Sequence, residues 1–437
     1  MNVRFDRVGP LHGSLRVPAD KSISHRAAIV GAIASQPLRI HNYLFAADTS
    51  STLAAVRQLG ANVEQRSDAL VIRGCGLRGA QAPSTTIDVG NAGTLMRLLP
   101  GWLAFQAGLS FTLDGDDSIR RRPVDRIAEP LRRMGAQIEG REQRFPPFTI
   151  RGARLRSIEY ELPVASAQVK SCVLLAGLDT DASSVVEPVA SRDHTERMLL
   201  RAGASVDRQR SSAGAYRTTV GNAGELELDA IDVPGDLSSA AFLIAAGVLV
   251  GGSRIVLEGV GVNWTRAGFL RILERMGAIV LGELEPEGSF AAEEPIADLE
   301  ISSGPIVGTT VAADEVPLAI DELPLVALLG CFAEGETAVR GAAELRVKES
   351  DRIATVVEGL RALGADIESA PDGFLVRGTG ALRGGRLDAH GDHRLALLGA
   401  VAGLASQQGV EVVGMEAASV SYPSFAEDLG KLSGRGH

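Results

Sequence analysis

Cysteine is nearly missing from this 437-residue chain: there are three, Cys75, Cys172 and Cys331, odd in number and far apart. That excludes a disulfide framework and a structural zinc site, and fits reduced thiols in a core. Long apolar runs are missing too. The longest, residues 240–250, is too short to cross a bilayer, and residues 1–6 contain no apolar signal core. The chain is therefore expected to be soluble and cytoplasmic, with no membrane partner. Positive charge is not in excess either. Forty-four Lys and Arg stand against 54 Asp and Glu, for a formal net charge of −10 at pH 7. This argues against a nucleic-acid surface, so any basic function has to reside in local clusters.

What the chain has in quantity is an internal repeat. Five helix ends share the pattern apolar-x-x-apolar-Gly-Ala, with the glycines at Gly60, Gly135, Gly203, Gly277 and Gly364. Each places glycine where a helix needs a left-handed stop, and in most an apolar strand follows. Several return through a second strand ending in Arg-Gly, at Arg73-Gly74, Arg151-Gly152 and Arg377-Gly378. Upstream of each copy lies another helix, apolar nearly all round and hence buried, and a sixth follows the last copy; the six begin near Ser22, Asn91, Ser166, Leu237, Asp321 and Asp392. The unit reads βαβαββ, six times.

The sixth copy runs out of chain after a weak helix at Phe425–Leu432. The N-terminal residues 3–17, broken by Gly9-Pro10 and Gly13, read as a strand pair that could complete it. At this length about two domains are expected. Residues 20–235 would hold repeats one to three, and residues 1–19 with 236–437 would hold repeats four to six. The crossovers fall near Pro18-Ala19-Asp20 and Val233-Pro234-Gly235-Asp236, and two crossings suggest a hinge.

Two motifs are decoys. Gly74-Cys-Gly76-Leu-Arg-Gly79 spells a dinucleotide fingerprint, but Ala80-Gln-Ala-Pro83 cannot open the helix that fingerprint requires. His390 and His393 lack a third ligand at a zinc-like spacing, so no metal is expected. The chemistry lies instead at the starts of the buried helices. Asp88-Val-Gly-Asn-Ala-Gly-Thr-Leu-Met-Arg97 joins a strand to a helix through small residues and reads as an anion site. Lys21, Ser22 and Arg26 share one helix face and can hold a phosphate or carboxylate. Ser166 and Gln168 supply hydroxyl and amide donors, and Asp392 caps a helix that carries Arg394. Asp321, a carboxylate heading an apolar helix among cations, suggests proton transfer. Two loops add Arg120, Arg121, Arg122 and Arg126, and the mixed charges of Arg346 to Arg352. Clusters recurring at one topological position are expected to converge where two domains meet, around an anionic substrate.

In this order, Lys21-Ser-x-Ser-x-Arg26, Gly90-Asn-Ala-Gly-Thr-x-x-Arg97, Arg122-Pro, Arg346-Val-Lys-Glu-Ser-Asp-Arg352 and Asp392-His-Arg394 closely resemble the enolpyruvyl-shikimate-phosphate synthases, within the enolpyruvyl transferases. Ser166-Ala-Gln-Val-Lys170, Arg192-Asp-His-Thr-Glu196 and Asn263-Trp-Thr-Arg266 are similar to a bacterial subclass often associated with glyphosate tolerance. The resemblance runs the length of the chain. It implies an α/β fold, a two-domain inside-out barrel of six βαβαββ repeats with buried helices inside and sheets outside.

It also implies a reaction in the shikimate pathway, toward chorismate and the aromatic amino acids. The enolpyruvyl group of phosphoenolpyruvate passes to the 5-hydroxyl of shikimate 3-phosphate, releasing phosphate, with no cofactor and the protein a monomer. Carried over residue by residue, Lys21, Ser22, Arg26, Ser166, Gln168, Arg192, Asp321 and Lys348 bind shikimate 3-phosphate. Lys21, Gly93, Arg122, Gln168, Arg352 and Arg394 hold phosphoenolpyruvate. Asp321 is the implied base, Glu349 the acid toward the enol methylene, and Lys21 a proton donor near the leaving phosphate. One position departs from the plant-type pattern: Ser419-Val-Ser421, not a lysine, precedes Tyr422-Pro423. The sister activity, UDP-N-acetylglucosamine enolpyruvyl transferase, usually has Lys-Asn and a loop cysteine. Here Ser22 follows Lys21, and Asp117 stands in the loop. A non-catalytic metabolite clamp would need the arginines but neither Asp321 nor Glu349, and a structural repeat protein would need none of them.

Overall fold

The repeat is visible first in its helices. In the computed structural model, which describes residues 1–434, each repeat contributes a buried helix and then an amphipathic one. They are α1 (Lys21–Ile33) and α2 (Ala47–Gln58), α3 (Gly93–Leu103) and α4 (Asp125–Met134), and α5 (Ala167–Gly177) and α6 (His194–Arg201). The second half supplies α7 (Leu237–Leu249) and α8 (Gly268–Arg275), then a short α9 (Val316–Ala319), α10 (Leu323–Phe332) and α11 (Arg352–Ala362), and finally α12 (His393–Ala405) and α13 (Phe425–Leu432). Buried helices cannot rely on water to satisfy their first N–H groups, and in α1, α5, α7 and α12 a side chain caps the start instead. Asp20 accepts from Ile23 N at 2.8 Å, Asp236 from Ser238 N at 2.9 Å and Asp392 from Arg394 N at 2.9 Å. The amphipathic helices end where the sequence places glycine, and Gly60, Gly135, Gly203, Gly277 and Gly364 all have positive φ.

Within a repeat, two parallel strands flank the buried helix and an antiparallel pair follows. In the second repeat Ile87–Asp88 lies beside Ser110–Asp114, then Phe145–Arg151, then Gln137–Arg141. Ile150 falls between Phe111 and Ile138, giving the sheet one continuous apolar row against the helices. The Arg-Gly strand endings have a packing cause. A Cβ at Gly74 would lie 2.3 Å from Ala34 O, at Gly152 2.1 Å from Gln106 O, and at Gly378 1.8 Å from Ala333 O. Each return strand runs so close to the chain just past the end of its buried helix that no side chain fits.

Repeat and sheet part company at the leading strands. His12–Arg16 precedes α1, yet it pairs in parallel with Arg254–Gly261, the strand that follows α7. Ala230–Asp232 precedes α7, yet it pairs with Leu38–His41, the strand that follows α1. Only Asn2–Phe5 completes the sixth sheet, antiparallel to Val410–Val413, so the expected N-terminal strand pair is not a hairpin and serves two different sheets.

The reason is where the chain changes compact unit. One unit, here the terminal unit, comprises Met1–Pro18, Pro234–Ser289 and the chain from Pro295 onward. The other, the central unit, comprises Ala19–Val233 and Phe290–Glu294. A strand laid down before a crossing stays with the unit it has already paired in. Each unit has its own apolar core, built around α1, α3 and α5 in the central unit and around α7, α10 and α12 in the terminal unit. Among the described residues, no helix is long and apolar enough to cross a membrane.

Candidate active site

In the central unit the starts of α1, α3 and α5 carry two connected clusters. The first surrounds Arg26, which is 3% exposed. Its guanidinium donates to Thr195 Oγ1 at 2.7 Å, Ser171 Oγ at 3.1 Å and the Ser22 carbonyl at 3.0 Å. Burial lowers its pKa to about 10, opposed by Glu196 and Asp20, while the nearby positive charge of Arg192 lowers it further. Lys21, one turn earlier, is held by Asp48 of α2 at 3.1 Å.

The second cluster surrounds Gly93. A methyl group there would meet Arg122 Nη1 at 3.0 Å and Arg97 Nη1 at 3.3 Å, so both guanidiniums lie against bare backbone at the start of α3. Arg97 donates to Gln168 Oε1 at 2.8 Å, and Gln168 donates to Thr94 Oγ1 at 3.2 Å. Arg122 reaches Asn91 Oδ1 and Ser118 Oγ, both at 3.1 Å. Helix α5 joins the two clusters, with Gln168 in one and Ser171 in the other, while Ser166 caps it by accepting from Val169 N at 3.5 Å. Of the arginine-rich loop only Arg122 turns inward; Arg120, Arg121 and Arg126 stay exposed, and Arg120 pairs with Asp114 at 2.7 Å.

The Arg192–Glu196 motif is tied to its neighbours. Asp193 pairs with Arg197 at 2.9 Å and Arg208 at 2.8 Å, His194 with Glu294 at 2.7 Å, and Thr195 with Arg26. Glu196 lies 2.8 Å from the wholly buried Lys170, which also meets Glu187 at 2.6 Å. Burial works against the charge on Lys170, but the two carboxylates outweigh it and its pKa is raised.

In the terminal unit the candidates gather around Arg352, which is 1% exposed. Its guanidinium meets Asp392 Oδ2 at 2.8 Å, Asp321 Oδ1 at 3.2 Å and Glu349 Oε2 at 2.5 Å. Burial opposes this charge, yet Asp392, Glu349 and Asp321 together raise the pKa of Arg352. Asp321, in the break between α9 and α10, also lies 3.4 Å from Lys348 Nζ and 3.7 Å from Arg394 Nη2. The 345–352 stretch is therefore more than the solvated helix its alternating charges suggest. Arg346 turns to Asp351 and to the Pro371 carbonyl, both at 2.8 Å, while Arg352 turns inward. His393 heads α12 and is buried, His390 is exposed, and among the described residues no three His, Cys, Asp or Glu side chains come together as metal ligands.

The family model for EPSP synthase (3-phosphoshikimate 1-carboxyvinyltransferase) matches residues 5–429. The chain belongs to this family. The 3-phosphoshikimate 1-carboxyvinyltransferase of Bacillus subtilis is 45% identical over 436 residues, 99% of each chain, and that of Desulfitobacterium hafniense is 44% identical over 433 residues, 99% of this chain and 98% of the relative. The solved EPSP synthase from Acinetobacter baumannii superposes with a TM-score of 0.85 at 40% identity, covering 100% of this chain and 98% of that one. The enolpyruvyl transferase NikO from Streptomyces tendae, at 19% identity and a TM-score of 0.76 over 98% of this chain and 96% of that one, shares the fold.

Set against the EPSP synthase motifs, the structure groups Lys21, Ser22, Arg26, Gly93, Arg122, Ser166, Gln168 and Arg192 in the central unit, and Asp321, Lys348, Glu349, Arg352 and Arg394 in the terminal unit. The sequence reading gave no role to the groups behind these residues: Asp48, Ser171, Thr195 and Glu322, with Arg266 next to Glu322. Asp48 is a single carboxylate in ordinary helix-start sequence and carries no local signal, whereas Glu322 directly follows Asp321, the carboxylate singled out at that helix start. Arg266 lies inside the Asn263-Trp-Thr-Arg266 motif, which could have pointed to it.

Proposed function

We propose that this EPSP synthase family member transfers the enolpyruvyl group of phosphoenolpyruvate to the 5-hydroxyl of shikimate 3-phosphate and releases inorganic phosphate, a step of the shikimate pathway. The observation that carries this reading is Asp321. It is a carboxylate held among Lys348, Arg352 and Arg394, beside a second carboxylate, Glu349, on the same arginine. A proton acceptor and a proton donor at one cationic site are what the addition needs. Asp321 takes the proton of the 5-hydroxyl as its oxygen bonds to the central carbon of phosphoenolpyruvate, and Glu349 delivers a proton to the methylene carbon. In the second step the new methyl group returns a proton and the carbon–oxygen bond to phosphate breaks, with Lys21 supplying a proton near the leaving group.

In this reading Lys21, Ser22, Arg26, Ser166, Gln168, Arg192, Asp321 and Lys348 bind shikimate 3-phosphate, and Lys21, Gly93, Arg122, Gln168, Arg352 and Arg394 hold phosphoenolpyruvate. The buried, hydrogen-bonded arginines and the bare backbone at Gly93 support it, since charge-assisted bonds to a bound anion strengthen where water is excluded. No metal or organic cofactor is required, and the protein acts as a cytoplasmic monomer. Each set of three repeats, residues 20–235 and residues 1–19 with 236–437, is read as an inside-out α/β barrel. That reading is supported by the three buried helices in each unit's core and by the sheets that pack on them. Mixing the purified protein with both substrates should release one phosphate per enolpyruvyl transferred. Release only when a UDP-amino sugar replaces shikimate 3-phosphate would overturn the assignment in favour of the sister transferase.

A further inference from the structure

Glu322 follows Asp321 in sequence but faces the other way. It is 1% exposed, whereas Asp321 is only partly buried. Glu322 Oε1 accepts a hydrogen bond from Ser238 Oγ at the start of α7, and lies 3.5 Å from Arg394 Nη1 and 3.8 Å from Arg266 Nη1. Arg266 in turn donates to Ser238 Oγ at 2.7 Å and to the cap Asp236 at 3.0 Å. Glu322 Oε2 and Arg394 Nε are buried without a hydrogen-bond partner. Arg394 thus stands between two adjacent carboxylates, Glu322 at 3.5 Å and Asp321 at 3.7 Å, and neither contact is a tight hydrogen-bonded ion pair.

We propose that Glu322 is a positioning residue for enolpyruvyl transfer: with Ser238 and Arg266 behind it, it draws the Arg394 guanidinium away from Asp321 and fixes its orientation. The inference rests on the functional reading above, in which Arg394 holds phosphoenolpyruvate and Asp321 is the base. Two consequences follow from the geometry. Arg394 keeps donors available for a substrate anion because no carboxylate binds it in a two-point grip. Asp321 keeps its ability to accept a proton because part of the arginine's charge is directed to Glu322. A buried ion pair with a purely structural role would do neither, and its loss would lower stability while leaving the two substrates equally affected.

Glu322→Gln removes the charge and keeps the shape. Arg394 then turns wholly to Asp321, whose charged neighbours also include Lys348 and Arg352. With a negative charge removed nearby and the arginine closer, Asp321 ionises more readily. The KM for phosphoenolpyruvate should rise about tenfold, with that for shikimate 3-phosphate within about twofold of the parent. The acid limb of the kcat/KM profile should move to lower pH. A folded Gln variant with an unmoved profile and an unchanged phosphoenolpyruvate KM overturns the proposal. Arg394→Ala separates the two levels. If it leaves the phosphoenolpyruvate KM unchanged, the site reading itself fails. If it raises that KM while Glu322→Gln does not, only the positioning role fails. Should Glu322→Gln not fold, Ser238→Ala decides: a severalfold rise in the phosphoenolpyruvate KM alone supports the role, and no rise, or an equal rise for both substrates, overturns it.

Discussion

Glu349 lies 2.5 Å from the guanidinium of Arg352, a geometry that suits a carboxylate, whereas a donor to carbon has to carry a proton. The negative charge of bound substrates would supply the reason to take one up. Glu349→Gln keeps size and hydrogen bonding but has no proton to transfer. Turnover should fall by the roughly 10²–10⁴-fold typical of losing a general acid, with shikimate-phosphate affinity little changed. If the residue were only an ion pair, the substitution would lower stability, because Arg352 is buried, and leave turnover within a fewfold of the parent. Arg122 is tested differently. It is 9% exposed and bonded to Asn91 and Ser118 beside Gly93. Arg122→Ala should raise the KM for phosphoenolpyruvate about ten- to a hundredfold, the equivalent of roughly 1.5–3 kcal/mol for a charge-assisted contact, and disturb shikimate 3-phosphate far less. An equal loss for both substrates would reassign the residue. Composition does not distinguish Arg120, Arg121, Arg122 and Arg126, which are chemically alike; in the sequence only the Arg122-Pro motif singled one out. The tight turn Ile119–Arg121 turns one inward and leaves the rest in water.

Between elements, the contact of α1 with α2 is pH-sensitive by construction. His25 of α1 is fully buried, and its Nδ1 lies 2.6 Å from Thr52 Oγ1 of α2, while Nε2 has no partner. Burial is the main cause that lowers its pKa from 6.5 to about 3, against the opposing charge of Asp48. The folded state therefore keeps this imidazole neutral, while the unfolded chain takes up a proton below about 6.5. Its contribution is fully present above that pH and is lost as pH falls from 6.5 toward 3, by up to about 1.4 kcal/mol per pH unit. The melting temperature should thus fall more steeply between pH 6.5 and 4.5 in the parent than in His25→Asn; parallel curves would remove His25 as a cause. At this scale much was legible. Helix stops at glycine are a local rule, because backbone conformation acts over a few residues; the Arg-Gly strand endings were legible as a repeated pattern, although the close approach that requires them, to Ala34, Gln106 and Ala333, is tertiary. The pairing of His12–Arg16 with the strand after α7 was not legible, because a short parallel strand carries no address for a partner more than 200 residues away.

For the whole molecule, a net charge of −10 coexists with cations buried at helix starts, and in the terminal unit those cations are already matched by Asp321, Glu349 and Asp392. Binding a phosphorylated anion should therefore show as stabilisation of the folded state. At a hundred times its dissociation constant, shikimate 3-phosphate should add about 2.7 kcal/mol and raise the melting temperature by a few degrees. Shikimate at the same concentration should do markedly less, and equal shifts would mean that the phosphate is not what the cations read. The sequence by itself determined the class of fold, the sixfold repeat, the family and the cast of candidate residues, because periodicity, glycine placement and motif order are properties of short stretches. Only the tertiary structure decided which neighbours hold those residues: Asp48 on Lys21, Thr195 and Ser171 on Arg26, Glu322 on Arg394. Such partners come from other helices, the next one for Lys21 and one 169 residues away for Arg26, and a buried charge takes whatever polar or charged group the packing brings within reach, which no local pattern specifies.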